Sequence, residues 1–408
     1  MKCRFCQHEL SLDLVDLQFS PPSNSFLSAA QLSAPEVTFP LKVMVCDQCW
    51  LGQVDEHKHA EDIFDSDYVY FSSFSSSWLA HAKRYVDSIS QRLSLGRDAF
   101  VVEVASNDGY LLQYFQERGV PCLGIEPTAS TADACRAKGI EVVQDFFGER
   151  LGRELASTRR PADLILANNV FAHVPDINDF VRGLKLALAP GGTITLEFPH
   201  FMQLVQQRQF DTIYHEHFSY LSLHTTQKIF EAHGLCVYDV EELPTHGGSL
   251  RVYGRHAEHS ALPVQPAVHA LLAKETALGM QTPAFYADFA QQVVDIKLDL
   301  LSFLIEQKRA GKRVMGYGAA AKGNTLLNYA GVLSDLLPAV ADLSPHKVGK
   351  FLPGVHIPVV SVDEVRAQRP DFILILPWNL KDEVMSQLAH VREWGGRFVV
   401  AIPQLEVL

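Results

Sequence analysis

The sequence predicts an α/β protein of several domains, and three features of the chain carry this expectation. Phe100–Leu112 has the pattern of a buried strand, a short polar turn and a helix start, which opens a nucleotide-binding domain. A second unit of this kind begins near Lys312, and four cysteines lie near the N-terminus. The chain of 408 residues is too long for one ordinary core. The predicted domains are 1–60, 61–256 and 257–408.

Composition and charge exclude several classes of protein. Apolar residues make up 47% of the chain and charged residues 20%, which is typical of a folded globular protein. No apolar stretch approaches about 20 residues, and no signal-peptide core follows the N-terminus, so a cytoplasmic location is expected. The formal net charge of −12 opposes nonspecific binding to nucleic acid or anionic membranes. We expect a monomer that binds neither nucleic acid nor membranes.

Two Cys-x-x-Cys pairs predict a metal site in the first domain: Cys3 with Cys6, and Cys46 with Cys49. The two-residue gap lets both thiolates of a pair face one ion, and two pairs complete a tetrahedral zinc site. Unligated cysteines or a redox pair are the alternatives. A site closed by four thiolates has no open position for chemistry, so the predicted zinc is structural.

A segment rich in hydroxyls and aromatics follows, and it contains Tyr68 and Tyr70. It leads into a predicted helix over 77–95, with apolar residues at helical spacing. The residues by themselves favour a loop before a serine-capped helix. The alternative is that the tyrosines and serines line a polar small-molecule pocket.

Acidic residues mark the carboxyl ends of the first two predicted strands of the second domain. Glu103 lies in the first strand, 100–104, and Glu126 ends the second strand 23 positions later (126 − 103). An acid at the second position holds ribose hydroxyls in S-adenosylmethionine (SAM) sites and in dinucleotide sites. A third strand, 140–143, is followed by Asp145 and Phe146, which suit the edge and the face of adenine.

The later elements favour a methyltransferase over a dehydrogenase. A fourth strand, 162–169, a helix, 177–188, and a Pro-Gly-Gly turn precede a fifth strand, 193–197. The first turn has one glycine, Gly109, where a nicotinamide fingerprint has three. Asp108 would repel a pyrophosphate but suits the cationic amino-acid end of SAM. The predicted cofactor-binding residues are Glu103, Ser106, Asn107, Asp108, Gly109, Glu126, Asp145, Phe146 and Asn168.

A polar cluster, Tyr214-His215-Glu216-His217, follows the fifth strand. Three interpretations compete: an acid–base site, a solvated surface cluster and a metal site. A histidine beside a carboxylate and a phenol makes a suitable general base. A metal site ranks third, because no His-Glu-x-x-His spacing is present.

The third domain is predicted to contain a bridging helix, about 283–310, and a second α/β unit. Its turn, Gly316-Tyr-Gly-Ala-Ala-Ala-Lys322, resembles a phosphate cradle, although tight packing of strand against helix explains the glycines equally well. No Gly-Lys-Ser/Thr ending is present, so NTP hydrolysis is not expected. Further strands are predicted at 339–342, 372–377 and 398–403.

These motifs together resemble the SAM-dependent nucleotide-sugar C-methyltransferases of deoxysugar biosynthesis, and the resemblance covers essentially the whole chain. The motifs are the two cysteine pairs, Glu-Val-Ala-Ser-Asn-Asp-Gly-Tyr-Leu-Leu, Tyr-His-Glu-His-Phe-Ser-Tyr and Gly-Tyr-Gly-Ala-Ala-Ala-Lys-Gly-Asn-Thr. The resemblance implies a zinc-binding module, a class I SAM methyltransferase domain and a C-terminal Rossmann-like domain that binds a nucleotide sugar. Ala105 departs from the general methyltransferase pattern, which has its first glycine there.

The resemblance also implies the reaction and its residues. The substrate class is a nucleotide-linked 4-keto-deoxysugar, methylated at C3 in branched-chain deoxysugar biosynthesis. His217 would remove the C3 proton, and the resulting enolate carbon would attack the SAM methyl in line. The other implied catalytic residues are Glu216, Tyr214, His173, Tyr68 and Tyr70. The predicted substrate-binding residues are Lys322, Asn324, Gly318, His246 and Arg251. Alternatives are an O- or N-methyltransferase acting on another nucleotide-linked molecule, or a non-catalytic SAM-fold binding protein.

Overall fold

The computed structural model describes residues 1–57 and 71–408, and it confirms the predicted α/β class. The described chain forms three sheets, of four, seven and six strands. The predicted site residues Tyr68 and Tyr70 lie outside the described residues. Of the helices in the described part, none has the length and apolar character that crossing a bilayer requires.

The N-terminal sheet joins the cysteine-containing module to the central domain. Leu12–Ser20, Phe39–Val45 and Gly52–Val54 pair antiparallel. The fourth strand is Ser219–Tyr220, which comes from the central domain and places Tyr220 opposite Gly52. The polar cluster that was predicted around His217 therefore runs directly into a strand of this sheet.

The central sheet has the strand order of a class I SAM methyltransferase, as predicted. Its strands are, in spatial order, Leu235–Leu243, Ser249–His256, Leu188–Pro199, Ala162–Asn168, Val101–Val104, Cys122–Ile125 and Glu141–Val143. The last five are parallel, and Ser249–His256 runs antiparallel to both of its neighbours. The chain order reverses beside Val101–Val104, and a crevice for ligands opens where the strand ends diverge.

Helices cover both faces of this sheet: Ser76–Arg92, Leu112–Gln116, Ala129–Ala137, Glu149–Thr158, Ile177–Ala187 and Leu223–Ala232. The short helix Phe201–Gln206 packs instead in the apolar core that contains the N-terminal sheet. The predicted serine cap is confirmed at the first helix, where the Ser75 hydroxyl accepts the Trp78 backbone N–H at 3.2 Å. Ala82, Tyr85 and Ile89 are buried at helical spacing, so this helix packs by one apolar face.

The C-terminal sheet is a smaller Rossmann-like unit. Its strands are, in spatial order, Val359–Ser361, Val340–Asp342, Val314–Tyr317, Phe372–Ile375, Arg397–Val400 and Glu406–Val407. The first five are parallel and the last is antiparallel. The helices of this part of the chain are Pro266–Ala277, Phe289–Arg309, Ala321–Ala330, Asp363–Gln368 and Lys381–Gln387.

Two predicted elements have different bounds in the structure. The fifth strand begins at Leu188 and not at 193, because the Pro-Gly-Gly segment continues the strand across an irregularity in its pairing. The helix predicted over 283–310 is a short turn, Pro283–Phe285, followed by a separate helix, Phe289–Arg309. The domain boundaries at 60 and 256 stay a prediction, since one apolar core contains Val43 of the N-terminal sheet and Leu326 of the C-terminal unit.

Candidate active site

A cavity of about 1020 Å³ lies at the carboxyl ends of the central strands. All three parts of the chain contribute to its wall: Asn24 from the N-terminal module, Glu126 and His217 from the central domain, and Lys322 from the C-terminal unit. The volume is at the upper end of the range for small-molecule sites, so the cavity has room for a cofactor and a second molecule.

The ribose-binding acid predicted from the sequence, Glu126, lies in the wall with its carboxylate fixed. It is buried, and it accepts hydrogen bonds from the backbone N–H groups of Asn107 and Thr128 at 2.9 and 3.0 Å. The Thr131 hydroxyl donates to it at 3.0 Å. These donors use three of the roughly four acceptor directions of a carboxylate, so an oriented acceptor is left for a ligand.

Two further predicted cofactor residues fit an adenosyl group. The side-chain amide of Asn168 is buried in the cavity wall, and neither its nitrogen nor its oxygen has a hydrogen-bond partner within the described chain. A buried amide without partners costs free energy unless a ligand supplies them. Phe146 keeps 39% of its surface exposed and lines the same cavity with Asp145. The residues present therefore fit SAM.

Four predicted cofactor residues, however, do not line the cavity: Glu103, Ser106, Asp108 and Gly109. Successive side chains of a strand alternate in direction, so Val104 lines the cavity and Glu103 is buried on the other face. Burial, reinforced by the charges of Asp108 and Glu126, raises the pKa of Glu103 well above its usual value. Asp108 turns inward to the Ser73 hydroxyl, with Lys138 at 3.7 Å, and its contact with the cationic end of SAM stays a prediction.

Replacing Glu126 with glutamine is expected to weaken SAM binding about 10–100-fold, because a charged hydrogen bond contributes about 1.5–3 kcal/mol. The amide nitrogen would also face a backbone N–H that now donates to the carboxylate. Isothermal titration with SAM measures the effect. Glu141→Gln is the matched control. Glu141 lies on the strand next to the one that Glu126 follows, and its carboxylate makes an exposed ion pair with Arg159. An unchanged Kd for Glu126→Gln would contradict the assignment.

The polar cluster is buried, so its interpretation as a solvated surface group was wrong. His217 is 8% exposed and lines the cavity, and its Nδ1 lies 2.8 Å from the Thr212 carbonyl oxygen. A carbonyl only accepts, so Nδ1 carries the proton and Nε2 is the basic nitrogen of the neutral ring. Burial, together with the charges of His173 and Lys322, lowers the pKa of His217 well below its usual value. His217 is therefore a neutral imidazole at neutral pH.

Three neighbours of His217 line the cavity with it, and His215 does not. The ring centroids of Tyr214 and His173 lie 3.9 and 4.6 Å from that of His217, and both residues line the cavity. The Glu216 carboxylate also lines it and accepts from Asn24 Nδ2 at 2.8 and 3.1 Å. The segment is a turn, and the His215 ring lies apart from His217, 3.2 Å from the Pro40 carbonyl oxygen.

Two predicted substrate residues, Lys322 and His246, also line the cavity. The Lys322 ammonium donates to Asn379 Oδ1 at 3.1 Å and lies 4.9 Å above the Trp378 ring. Burial lowers the pKa of Lys322, and Asp211 opposes this shift. His246 Nε2 lies 3.1 Å from the Asn169 amide nitrogen. A cation and a hydrogen-bonding imidazole therefore face the polar cluster.

The other predicted substrate residues, Gly318, Asn324 and Arg251, do not line the cavity. Arg251 is buried against Glu197, with Nη2 2.6 Å from its carboxylate, and this internal ion pair occupies its charge. Gly318 has φ +88°, and a Cβ there would lie 2.5 Å from Pro377 Cδ, so its role is close packing. Asn324 is 1% exposed inside the helix Ala321–Ala330.

Several cavity residues were not predicted from the sequence, among them Asn24, Trp78, His81, Asn169 and Asn379. Asn379 had a usable signal, because it follows the strand Phe372–Ile375 and the ends of parallel strands form ligand sites. Asn24 had none, since only the tertiary fold brings it to Glu216, 192 positions along the chain.

The four cysteines meet the geometry of the predicted zinc site. Their sulfur atoms all lie within 4.8 Å of one another, with Cys3–Cys49 and Cys6–Cys46 at 3.5 Å. Tetrahedral thiolates about 2.3 Å from zinc would be about 3.8 Å apart. Within the described ranges, these four cysteines are the one group of possible ligands whose atoms lie close enough together to hold a metal ion. Among the described residues, the histidines around His217 do not form such a group.

Comparison with known proteins covers nearly the whole chain. Three family models match: a zinc binding domain over 3–64, a methyltransferase domain over 78–240, and a C-methyltransferase C-terminal domain over 244–403. The C-methyltransferase NovU of Streptomyces niveus is 34% identical over 409 residues, which cover 100% of this chain and 96% of that protein.

Two solved methyltransferase structures each align with less than half of the chain. A SAM-dependent methyltransferase from Clostridium acetobutylicum is 8% identical, with a TM-score of 0.35, over 44% of this chain and 92% of its own. Magnesium protoporphyrin IX methyltransferase from Synechocystis with bound SAM is 14% identical, with a TM-score of 0.33, over 46% and 84%. TM-scores this low do not establish a shared structure or function.

The strand order and the matched methyltransferase domain make this protein a SAM-dependent methyltransferase. The chain belongs, more particularly, to the family of C-methyltransferases that combine a zinc-binding N-terminal domain with a C-methyltransferase C-terminal domain. The resemblance drawn from the four sequence motifs is therefore confirmed, as is the predicted pairing of SAM with a four-cysteine zinc site.

Proposed function

We propose that the enzyme transfers the methyl group of SAM to C3 of a nucleotide-linked 4-keto-deoxysugar. The observation that supports this most directly is the position of His217, a buried neutral histidine that lines the same cavity as the cofactor residues and Lys322. Carbon is a nucleophile only after a proton is removed, and a proton α to a ketone is acidic enough for a histidine base. A 4-keto sugar offers such a proton at C3.

His217 takes the C3 proton on Nε2, because the Thr212 carbonyl holds the ring by its Nδ1–H at 2.8 Å. The electron pair of the C–H bond moves into the enolate, and its oxygen needs a hydrogen-bond donor. His173 and Tyr214 are the candidates, since both rings contact His217 in the cavity wall. Burial lowers the pKa of His173 to about 4, so at neutral pH His173 is a neutral imidazole with a single N–H, which leaves the Tyr214 hydroxyl as the stronger candidate donor.

SAM, when bound, supplies an electrophilic methyl group whose sulfonium leaves as a neutral thioether. Glu126 would hold the ribose hydroxyls of the cofactor, Phe146 would stack on its adenine, and Asn168 would pair its buried amide with it. Lys322 and the N-terminal end of the helix Ala321–Ala330 would receive the diphosphate of the sugar nucleotide. Holding both molecules in one cavity would supply the proximity that methyl transfer to carbon needs.

The test is a mass-spectrometric screen of nucleotide-linked keto-sugars for a SAM-dependent gain of one methyl group. The expected product carries this methyl on carbon, which carbon–proton correlation NMR identifies. Incubation in deuterated water without SAM is expected to introduce deuterium at C3, because the base acts before methyl transfer. A methyl group on oxygen or nitrogen would contradict the proposal and favour the alternative methyltransferases.

A further inference from the structure

One side chain of the C-terminal unit reaches the segment that carries the base. The Trp378 indole N–H donates to the Asp211 carboxylate at 2.7 Å. Its ring lies beneath the Lys322 ammonium, 4.9 Å from ring centroid to nitrogen. A Cβ added to Gly247 would lie 2.4 Å from the ring, so the indole is closely packed on this side. Trp378 itself does not line the cavity.

Asp211 belongs to the short turn that orients His217. It lies in the 3-10 turn Phe210–Thr212 and is fully buried. The next residue, Thr212, supplies the carbonyl that accepts the His217 Nδ1–H at 2.8 Å. A shift of this turn would therefore rotate the imidazole or release its proton-bearing nitrogen.

The buried carboxyl group of Asp211 stays ionised because nearby cationic and hydrogen-bond donors stabilise its negative charge. Burial raises the pKa of Asp211 to about 6, and Lys322 and the indole N–H oppose this shift. Without the indole N–H, the Asp211 carboxylate would lose a hydrogen bond, and water could not replace it because the carboxylate is buried. The turn would then relax toward another partner, and the carbonyl of Thr212 would move with it.

We propose that Trp378 is a positioning residue, which acts through Asp211 and the Thr212 carbonyl to hold His217 in its reactive orientation. This inference rests on the proposed role of His217 as the base. It gives the C-terminal unit a second task besides binding the sugar nucleotide. The task is separable from binding, because the indole N–H faces Asp211 while the ring face supports Lys322.

Trp378→Phe removes the indole N–H and keeps an aromatic face beneath Lys322. We expect kcat to fall about 10–100-fold, the size of effect that a displaced catalytic group produces. The KM for the sugar nucleotide and the Kd for SAM are expected to stay within about twofold, because the cavity wall is unchanged. Asp211→Ala should lower kcat similarly, and the double variant should be no slower than the slower single variant, since both break one interaction.

Trp394→Phe is the matched control, because the Trp394 indole N–H donates to the Pro370 carbonyl at 2.9 Å within the same unit. It should keep the parental kcat. A parental kcat in Trp378→Phe, a higher KM with unchanged kcat, or losses that multiply in the double variant would overturn the proposal. Where Trp378→Phe does not fold, Asp211→Ala decides by its kcat at saturating sugar nucleotide: a loss of about 10–100-fold supports the proposal, and a parental kcat overturns it. If His217→Ala retained full turnover, the proposed base would fail first, whatever the Trp378 variant showed.

Discussion

Replacing His217 with alanine is expected to lower kcat by about 10²–10⁴-fold, the usual contribution of a general base. The ring has its Nδ1–H engaged by Thr212, and the residue lines the cavity, so Nε2 has no substitute at this position among the described side chains. SAM affinity should remain parental, since Glu126 and Asn168 form another part of the wall. Turnover with a nucleotide keto-sugar and calorimetry with SAM measure the two quantities.

The pH dependence gives an independent check on the same residue. A base must be unprotonated, and burial lowers the pKa of His217 well below its usual value of about 6.5. The kcat/KM of the parent should therefore stay level as the pH falls through about 6.5, and it should decline only at lower pH. His259→Ala, at an exposed position, is the control and should behave as the parent. A parental kcat in His217→Ala would refute the assignment.

Removing zinc is expected to abolish methyl transfer, to below about 1% of the parental rate, although zinc takes no part in the chemistry. Cys49 lies three positions before the strand Gly52–Val54, which pairs with Ser219–Tyr220 just after His217. The Thr225 hydroxyl also donates to the Cys49 carbonyl at 3.0 Å. Loss of the metal would therefore remove the anchor of the strand Gly52–Val54, which pairs with the segment directly after His217.

Cys46→Ser tests this expectation, with metal analysis, thermal unfolding and turnover as measurements. We expect loss of bound zinc, a lower Tm and loss of activity together, because structural zinc sites contribute folding free energy. Cys236→Ser is the control, since Cys236 is a single half-buried cysteine outside the zinc site. Full activity in a preparation shown to contain no zinc would contradict the structural role.

The features that the sequence determined by itself are local or repeated at fixed spacing. The cysteine pairs predict a tetrahedral site, because two thiols three positions apart can reach one ion. Glu126 was found because the carboxyl ends of parallel strands share one edge of a sheet, so an acid at a strand end lies near the ligand crevice. The serine cap and the apolar face of Ser76–Arg92 follow from helical spacing in the same way.

Only the tertiary structure decided which face each polar side chain presents and which charges cancel. Glu103 and Asp108 sit within the correct motif but do not line the cavity. A step of one residue reverses the direction of a side chain in a strand, which turns Glu103 away, and Asp108 in the following turn is engaged by Ser73 and Lys138. Arg251 is neutralised by Glu197, a pairing of strands 54 positions apart. Asn24 reaches Glu216 of the polar cluster from the N-terminal module, and Trp378 reaches Asp211, just before the cluster, from the C-terminal unit. Packing of the three sheets creates these contacts, and no local pattern encodes them.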